Sequence, residues 1–168
     1  MLLSKPFKLA AMAALSAALL AGCTLRPAYQ GTNNLAQKDF NLTYAEADSR
    51  LEQIIFQKIR FDLGENKAAP YKLDLNVSAS ARSLFKAGSQ FARNEKEMKA
   101  TISFKLIQVD TEETVLSGSR FAAATYQTSG QLVADKAAAK DAEKRAGEAA
   151  AKLVEIDLLH FFNEANTQ

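Results

Sequence analysis

The stretch "YKLDLNVSASA", residues 71–81, carries the most regular pattern in this 168-residue chain. Its odd-numbered positions are apolar or small, and its even-numbered positions are polar. Successive side chains of a β-strand point to opposite faces, so this alternation predicts a strand with one buried face and one face in water. The apolar series consists of Tyr71, Leu73, Leu75, Val77, Ala79 and Ala81.

The segments that follow predict a hairpin beside this strand. "MKATISFKLIQVD" (98–110) alternates and then loses phase at Ile107, which predicts a bulge or an end covered on both faces. After a polar turn, "TVLSGSRFAAATYQT" (114–128) predicts the partner strand, with Gly118 as a candidate bulge. The less regular segment 83–97 predicts a connecting loop.

A short strand and a helix are expected before residue 71. "KDFNLTY" (38–44) alternates as a half-buried strand does. Ser49 and Glu52 fit a capping box, in which the two side chains satisfy early helical N–H groups reciprocally. Apolar residues at helical spacing follow, and Gly64 is a suitable stop, so the sequence predicts a helix from about Arg50 to Leu63.

The last segment predicts a long helix. Between Gln131 and Glu164 there is no proline, and alanine, lysine and glutamate dominate. Small residues on one face would let this helix lie close to a sheet, whereas a helix lying on a membrane should be less alanine-rich and more basic. The face predicted to be buried comprises Val133, Ala137, Ala142, Ala146, Ala149, Leu153 and Ile156, with Leu159 and Phe162 adding bulk at the far end.

This order of elements predicts an α+β fold. Two helices would pack on one face of a four-stranded mixed sheet, in a single domain over residues 38–168. That length suits one ordinary hydrophobic core.

The beginning of the chain is typical of an export signal. Residues 1–22 combine a basic start with an apolar run that is too short to span a bilayer. The only cysteine, Cys23, follows directly. Residues 23–37 are mostly polar and predict a flexible tether.

The residues around Cys23 resemble a bacterial lipobox, Leu20-Ala21-Gly22-Cys23. The resemblance implies cleavage before Cys23 and its acylation, which would anchor the protein on the membrane through acyl chains. The alternative is a plain signal peptide with a cysteine near the cut. By resemblance to the sorting rule of enterobacterial lipoproteins, Thr24 in place of an aspartate favours the outer membrane over the inner one, with the domain facing the periplasm.

Charge excludes one class of partner and suggests another. The net charge of +2 comes from the two lysines of the predicted signal, so the mature protein is close to neutral. Its overall charge therefore gives no reason to expect nucleic-acid binding. Residues 72–105 are nevertheless locally basic, and two interpretations stand: a solvated strand face and loop, or a surface that binds phosphate groups such as those of lipopolysaccharide. Two strands would supply Lys72, Arg82, Lys99 and Lys105, and the loop between them would supply Lys86, Arg93 and Lys96.

The sequence contains no pattern that identifies an active site. The sole histidine, His160, lies near the end of the last helix, and no cysteine or histidine cluster has the spacing of metal ligands. No loop has the pattern that binds nucleotide phosphates. We therefore expect no enzyme activity, no cofactor and no metal.

Taken together, the segments "LRPAY", "DSRLEQIIFQKIRFDLG", "YKLDLNVSAS" and "ADKAAAKDAEKRAGEAAAKLVEIDLLHFF" resemble the LptE family of lipopolysaccharide-assembly lipoproteins, in its alphaproteobacterial branch. The resemblance rests on the order of elements and covers nearly all of the mature chain. It implies an outer-membrane lipoprotein that plugs the LptD β-barrel, helps it assemble, and assists lipopolysaccharide insertion into the outer leaflet.

Two other classes of function remain open. One is an auxiliary lipoprotein of a lipid-transporting ABC system, and the other is a periplasmic enzyme that acts on peptidoglycan.

Overall fold

The computed structural model describes residue 40 and residues 42–84 and 94–165. The predicted signal and tether, with Cys23, lie outside these residues, as do Lys86 and Arg93. The elements in chain order are β1 (Leu42–Tyr44), α1 (Arg50–Leu63), β2 (Tyr71–Ser83), β3 (Glu95–Gln108), β4 (Thr114–Gln127) and α2 (Leu132–Ala165). The α+β prediction, with two helices and a four-stranded sheet, is confirmed.

The sheet is mixed, with strand order β1-β2-β3-β4. β1 runs parallel to β2 and pairs only with its first three residues, whereas the other two pairings are antiparallel. The predicted irregularity is present as a register shift between Leu106 and Ile107. The predicted bulge at Gly118 is wrong, because Gly118 pairs in regular register with Phe104. The glycine instead leaves room for that ring, since a Cβ atom there would lie 2.8 Å from Phe104 Cζ.

One face of the sheet carries the hydrophobic core. Helix α2 packs on β3 and β4, and α1 packs on α2 and β2. The strand residues buried under the helices are Leu73, Leu75, Met98, Ala100, Ile102, Phe104 and Leu106.

The helices cover a shorter part of β2 than its alternating pattern predicts. Ala79 and Ala81 belong to the apolar series but are exposed. Helix α1 begins at Arg50, and its Glu52 reaches β2 only at Val77, where the carboxylate Oε1 accepts the backbone N–H at 3.1 Å. The second half of β2 therefore extends beyond the helix that covers its first half.

Helix α1 has the predicted bounds, but its hydrogen bonds at the start differ from those of the predicted capping box. Ser49 Oγ accepts the Glu52 N–H at 3.2 Å, as an N-cap side chain should. Glu52 Oε2 accepts the N–H of Asp48 at 2.7 Å and not that of Ser49. With its other oxygen on Val77, Glu52 joins the turn before the helix to the sheet.

The buried face of α2 differs from the predicted one. Ala142 and Ala146 are buried as expected, but Val133, Leu153 and Ile156 are 83%, 39% and 54% exposed. The buried stripe instead advances in steps of four residues, through Ala142, Ala146, Ala150, Val154 and Leu158. At 3.6 residues per turn, each such step moves the stripe about 40° around the helix, so the contact rotates along α2 as the helix crosses the twisted sheet.

A close helix crossing and an aromatic cluster complete the core. A Cβ atom on Gly147 would lie 3.0 Å from Leu51 Cδ1, so the glycine allows α1 and α2 to approach closely. Near the end of α2, the ring of Phe162 lies 5.4 Å from that of Phe40 and 5.7 Å from that of Tyr71. None of the helices in the described ranges is long and apolar enough to cross a membrane.

Candidate functional site

The candidate site is the sheet face that points away from the two helices, which we call the open face. It is formed by the even-numbered residues of β2 and the odd-numbered residues of β3 and β4, because side chains alternate along each strand. None of its described residues is buried. Its polar members include Asn76, Ser78, Ser80, Thr101, Ser103, Ser117, Ser119 and Thr125.

The strand register divides the open face into a neutral centre and charged ends. At the centre, Ser103 lies between Asn76 and Ser119. Towards one end, Lys105 lies between Asp74 and Ser117. Towards the other, Glu97 lies between Arg82 and Thr125. A belt rich in hydroxyl groups therefore separates two mixed-charge regions.

Four of the seven predicted basic residues lie on the open face, namely Lys72, Arg82, Lys99 and Lys105. Arg82 Nε is 2.7 Å from Glu97 Oε1, in an exposed ion pair that contributes little to stability. The Lys99 ammonium lies 4.1 Å from the centre of the Phe121 ring, which is the geometry of a cation–π contact. The four cations are thus distributed over both ends of the face.

Lys96 lies elsewhere than predicted. It belongs to β3 and not to the loop, in phase with Met98 and opposite Ser83 and Tyr126, and therefore on the face that the helices cover. Lys96 is close enough to the start of α2 to influence Asp135. Hydrogen bonds from the Ser129 N–H, the Ser129 hydroxyl and the Gly130 N–H lower the pKa of Asp135, and the Lys96 charge lowers it further. The structure therefore separates Lys96 from the open-face cations.

The open face also holds features that the basic pattern does not reveal. A shallow cavity of about 370 Å³ is bordered by Asp74, Asn76, Ser103 and Lys105. Phe121 is 60% exposed, although large aromatic side chains usually bury most of their surface. The one sequence signal for Phe121 is its position among the polar residues of an alternating strand. Together these groups offer hydrogen-bond donors, acceptors and one aromatic surface.

Among the residues in the described ranges, the charged side chain with the lowest exposed fraction lies in the helix layer and not on the open face. Glu155 is 1% exposed, and its Oε2 lies 2.8 Å from Lys152 Nζ. Burial raises the pKa of Glu155 above its ordinary value, and the neighbouring Asp62 raises it further. Burial alone would also raise the pKa of Asp62, but hydrogen bonds from Lys58 and Glu155 lower it overall. These groups join the end of α1 to α2, so their arrangement is explained by helix packing.

No known protein-family model matches the sequence, and no curated protein is significantly similar to it. Solved structures with a similar fold exist. One is a Caulobacter crescentus CB15 protein assigned as a lipoprotein, with 21% identity, a TM-score of 0.62, and coverage of 74% of this chain and 92% of that one.

Two further structures are similar over the same share of this chain. Rare lipoprotein B of Shewanella oneidensis has 11% identity and a TM-score of 0.54, over 74% of this chain and 96% of that one. Uncharacterized lipoprotein B of Nitrosomonas europaea has 13% identity and a TM-score of 0.56, over 74% and 85%. The domain that follows the predicted tether therefore has the fold of these bacterial lipoproteins.

Proposed function

We propose that this protein is an outer-membrane lipoprotein that plugs an LptD-like β-barrel, helps it assemble, and assists the insertion of lipopolysaccharide into the outer leaflet. In this proposal Cys23 carries the acyl chains, and the domain faces the periplasm. Three features support the proposal: the lipobox-like sequence before Cys23, the resemblance to the LptE family, and a fold similar to that of solved lipoproteins.

The observation that carries the proposal is the open face. One face of the sheet is covered by helices, and the other is polar and is not covered by any of the residues that the structure describes, so it offers a large surface to a partner. The interior walls of wide transmembrane barrels are polar. A hydroxyl-rich belt can exchange hydrogen bonds with such a wall without burying unpaired charge, which would be costly.

Lipopolysaccharide would meet the charged ends of the same face. Its phosphate groups could pair with Lys72 and Lys105 at one end, or with Arg82 and Lys99 at the other. Charge-assisted hydrogen bonds contribute about 1.5–3 kcal/mol each where water is partly excluded.

The first experiment is purification of the full chain from its own membranes in mild detergent, followed by mass spectrometry of the bound proteins. We expect a β-barrel of the LptD type. Recovery of an ATPase complex in its place would favour the ABC-system alternative, and cleavage of peptidoglycan in a zymogram would favour the enzyme alternative. Depletion of the protein should also lower the amount of assembled barrel and make cells sensitive to large hydrophobic antibiotics.

The anchor is tested separately by metabolic labelling with a fatty acid. The wild-type chain should incorporate label, and Cys23→Ser should not. An unlabelled wild-type chain would contradict the lipoprotein assignment. Retention of the Cys23→Ser chain in the outer membrane would not, because a bound barrel also retains the protein there.

A further inference from the structure

The cavity on the open face is bordered by polar side chains that have no partners of their own. Asp74, Asn76, Ser103 and Lys105 surround a space of about 370 Å³. Among the described residues, no side-chain hydrogen bond or ion pair involves any of these four. Even Asp74 and Lys105, which lie opposite each other in the strand register, do not pair. The polar atoms around the cavity are therefore available to a ligand.

These polar groups match the hydroxyl groups of a sugar. A hydroxyl group both donates and accepts hydrogen bonds. The Asp74 carboxylate only accepts, the Lys105 ammonium only donates, and the Asn76 amide does both. A ligand rich in hydroxyl groups satisfies all three side chains, whereas an acyl chain satisfies none and would desolvate them at a cost.

An exposed aromatic ring lies beside the cavity. Phe121 pairs with Thr101, and this pair is two residues along the strands from the pair of Ser103 and Ser119. Two strand residues span about 7 Å, so one ligand can reach both the ring and the cavity. The flat C–H surface of a sugar ring packs on an aromatic face while its hydroxyl groups stay free for hydrogen bonds. A ligand site typically combines such an apolar surface with a few placed polar groups.

The contact between Lys99 and Phe121 leaves the aromatic ring available. The Lys99 ammonium is 4.1 Å from the ring centre and covers one face of the ring. With the lysine in this position, Phe121 is still 60% exposed. Exposed cation–π contacts are weak, so the ammonium can turn to an anionic group of a ligand that lies beside the ring.

The pattern of charge indicates which kind of sugar fits. The centre of the open face carries no charge, and Lys105 and Lys99 of β3 lie on either side of it. A neutral sugar with anionic groups towards its ends complements this pattern, whereas a glycan with charge on every ring does not. The uncharged centre consists of Asn76, Ser78, Thr101, Ser103, Ser119 and Phe121.

We propose that the open face binds the sugar rings of lipopolysaccharide, with one ring stacked on Phe121 and a neighbouring ring in the cavity between Asp74 and Lys105. We call Phe121 and this cavity the sugar site. Phosphate groups on the sugars would pair with Lys99 and Lys105 on either side. The choice of lipopolysaccharide rests on the proposed function, which assigns to this face contacts with phosphate only.

The sugar site is compatible with a barrel around the domain. A sugar ring carries hydroxyl groups around its rim, so a ring on the open face also presents hydroxyl groups to the opposite side. The interior wall of a wide barrel is polar and can bond them. The sugar would therefore lie between the open face and the wall.

The test compares two exposed phenylalanines of the full chain in mild detergent. Phe121→Ala removes the ring of the sugar site, and the control Phe61→Ala removes a ring of α1 that is 87% exposed. Neither ring belongs to the core, so both variants should fold. The probe is the core oligosaccharide of lipopolysaccharide, freed of lipid A and of phosphate, and binding is measured by titration calorimetry.

We expect the oligosaccharide to bind the wild-type chain and Phe61→Ala equally, and Phe121→Ala at least about tenfold more weakly. Phe121→Trp should retain binding, because an aromatic surface remains for stacking. Absence of binding by the wild-type chain, or equal binding by Phe61→Ala and Phe121→Ala, would overturn the proposal.

Two further ligands test the source of the sugar. The core oligosaccharide with its phosphate groups should bind more tightly than the probe, and this gain should disappear when Lys99 and Lys105 are both replaced with glutamine. Peptidoglycan glycan strands without peptides should bind more weakly than the phosphorylated oligosaccharide, because they offer no phosphate to the two lysines. Equal or tighter binding of the peptidoglycan glycan would overturn the choice of lipopolysaccharide.

Amide chemical shifts of the wild-type chain locate the ligand without any variant. Added oligosaccharide should shift the signals of Thr101, Ser103 and Phe121 and leave that of Phe61 unchanged. Shifts confined to the two helices would overturn the proposal. The oligosaccharide needs no barrel to bind, so failure of the sugar site leaves the barrel partnership standing, and failure to recover a barrel leaves sugar binding as a separate result.

Discussion

The two faces of the sheet are built from the same strands and have opposite roles. On the covered face, Ile102 is fully buried beneath the helices, and one residue later along the same strand Ser103 points into solvent on the open face. The covered face holds the hydrophobic core, and the open face contributes almost nothing to it. Selection for stability therefore acts on alternate residues, and the residues between them are free to serve binding.

The largest expected effect on stability tests this contrast between the two faces at two neighbouring positions of β3. Ile102→Ala removes buried atoms and leaves a cavity, which typically costs about 2–5 kcal/mol of unfolding free energy. Ser103→Ala should change stability by less than about 0.5 kcal/mol, since it removes an exposed hydroxyl group. Urea denaturation of both variants measures the difference, and similar losses in the two would contradict the division between the faces.

The next effect concerns the link between α1 and the sheet. Glu52→Ala removes two hydrogen bonds to a carboxylate, those from the N–H groups of Asp48 and Val77, and hydrogen bonds to charged groups contribute about 1.5–3 kcal/mol each. Ser49→Ala removes only the N-cap bond, typically worth about 1 kcal/mol. Denaturation of both variants should therefore show the larger loss for Glu52→Ala. The reverse order would mean that Glu52 acts only within the helix.

A smaller effect should depend on pH and belongs to the helix layer. Because the folded pKa of Glu155 lies above its ordinary value of 4.5, the folded state favours the protonated carboxyl group. Stability from this group is therefore present below about pH 4.5 and is lost as the pH rises through the folded pKa. Glu155→Gln should remove that loss.

Unfolding midpoints between pH 4 and pH 8 test this expectation. Relative to Glu155→Gln, the wild-type chain should become progressively less stable towards neutral pH. A constant difference between the two chains over this range would contradict the assignment. Asp62 should affect stability in the opposite direction, because its folded pKa is lowered from the ordinary value of 3.8. The stability that it contributes is lost only as the pH falls below that value.

The smallest effect on stability should come from the open-face cations. Replacing Lys72, Arg82, Lys99 and Lys105 together with glutamine should change stability by less than about 0.5 kcal/mol per site. If the open face binds phosphate, lipopolysaccharide binding should fall, and its dependence on salt should weaken. Binding at two salt concentrations measures both.

A matched control replaces the exposed lysines Lys67, Lys136, Lys140 and Lys144, which lie off the open face, and should leave binding unchanged. Equal loss of binding in the two sets would indicate a general effect of charge. Unchanged lipopolysaccharide binding in the open-face variant would show that these cations form only a solvated surface.

Much of the fold was predictable because its signals are local. The bounds of α1 follow from Ser49 at its start and Gly64 at its end, and Gly64 has the positive φ of 79° that a glycine adopts without strain. The alternation of β2 and the register shift at Ile107 are likewise visible within a few residues. The candidate site was only partly predictable. Lys99 and Lys105 lie on the expected face, but Lys96 does not, because β3 begins at Glu95 and places Lys96 in phase with Met98.

The sequence by itself determined the order and type of the elements, the two-sided character of β2, and the unusual position of Cys23 after a short apolar run. These properties depend on residues that are near one another in the chain. Only the tertiary structure decided that Glu52 bonds Val77, and that Leu153 and Ile156 of α2 are exposed beside β4. The physical reason is the geometry of the crossing: the close contact between Gly147 and Leu51 and the twist of the sheet set the orientation of α2, and both join residues that are far apart in the chain.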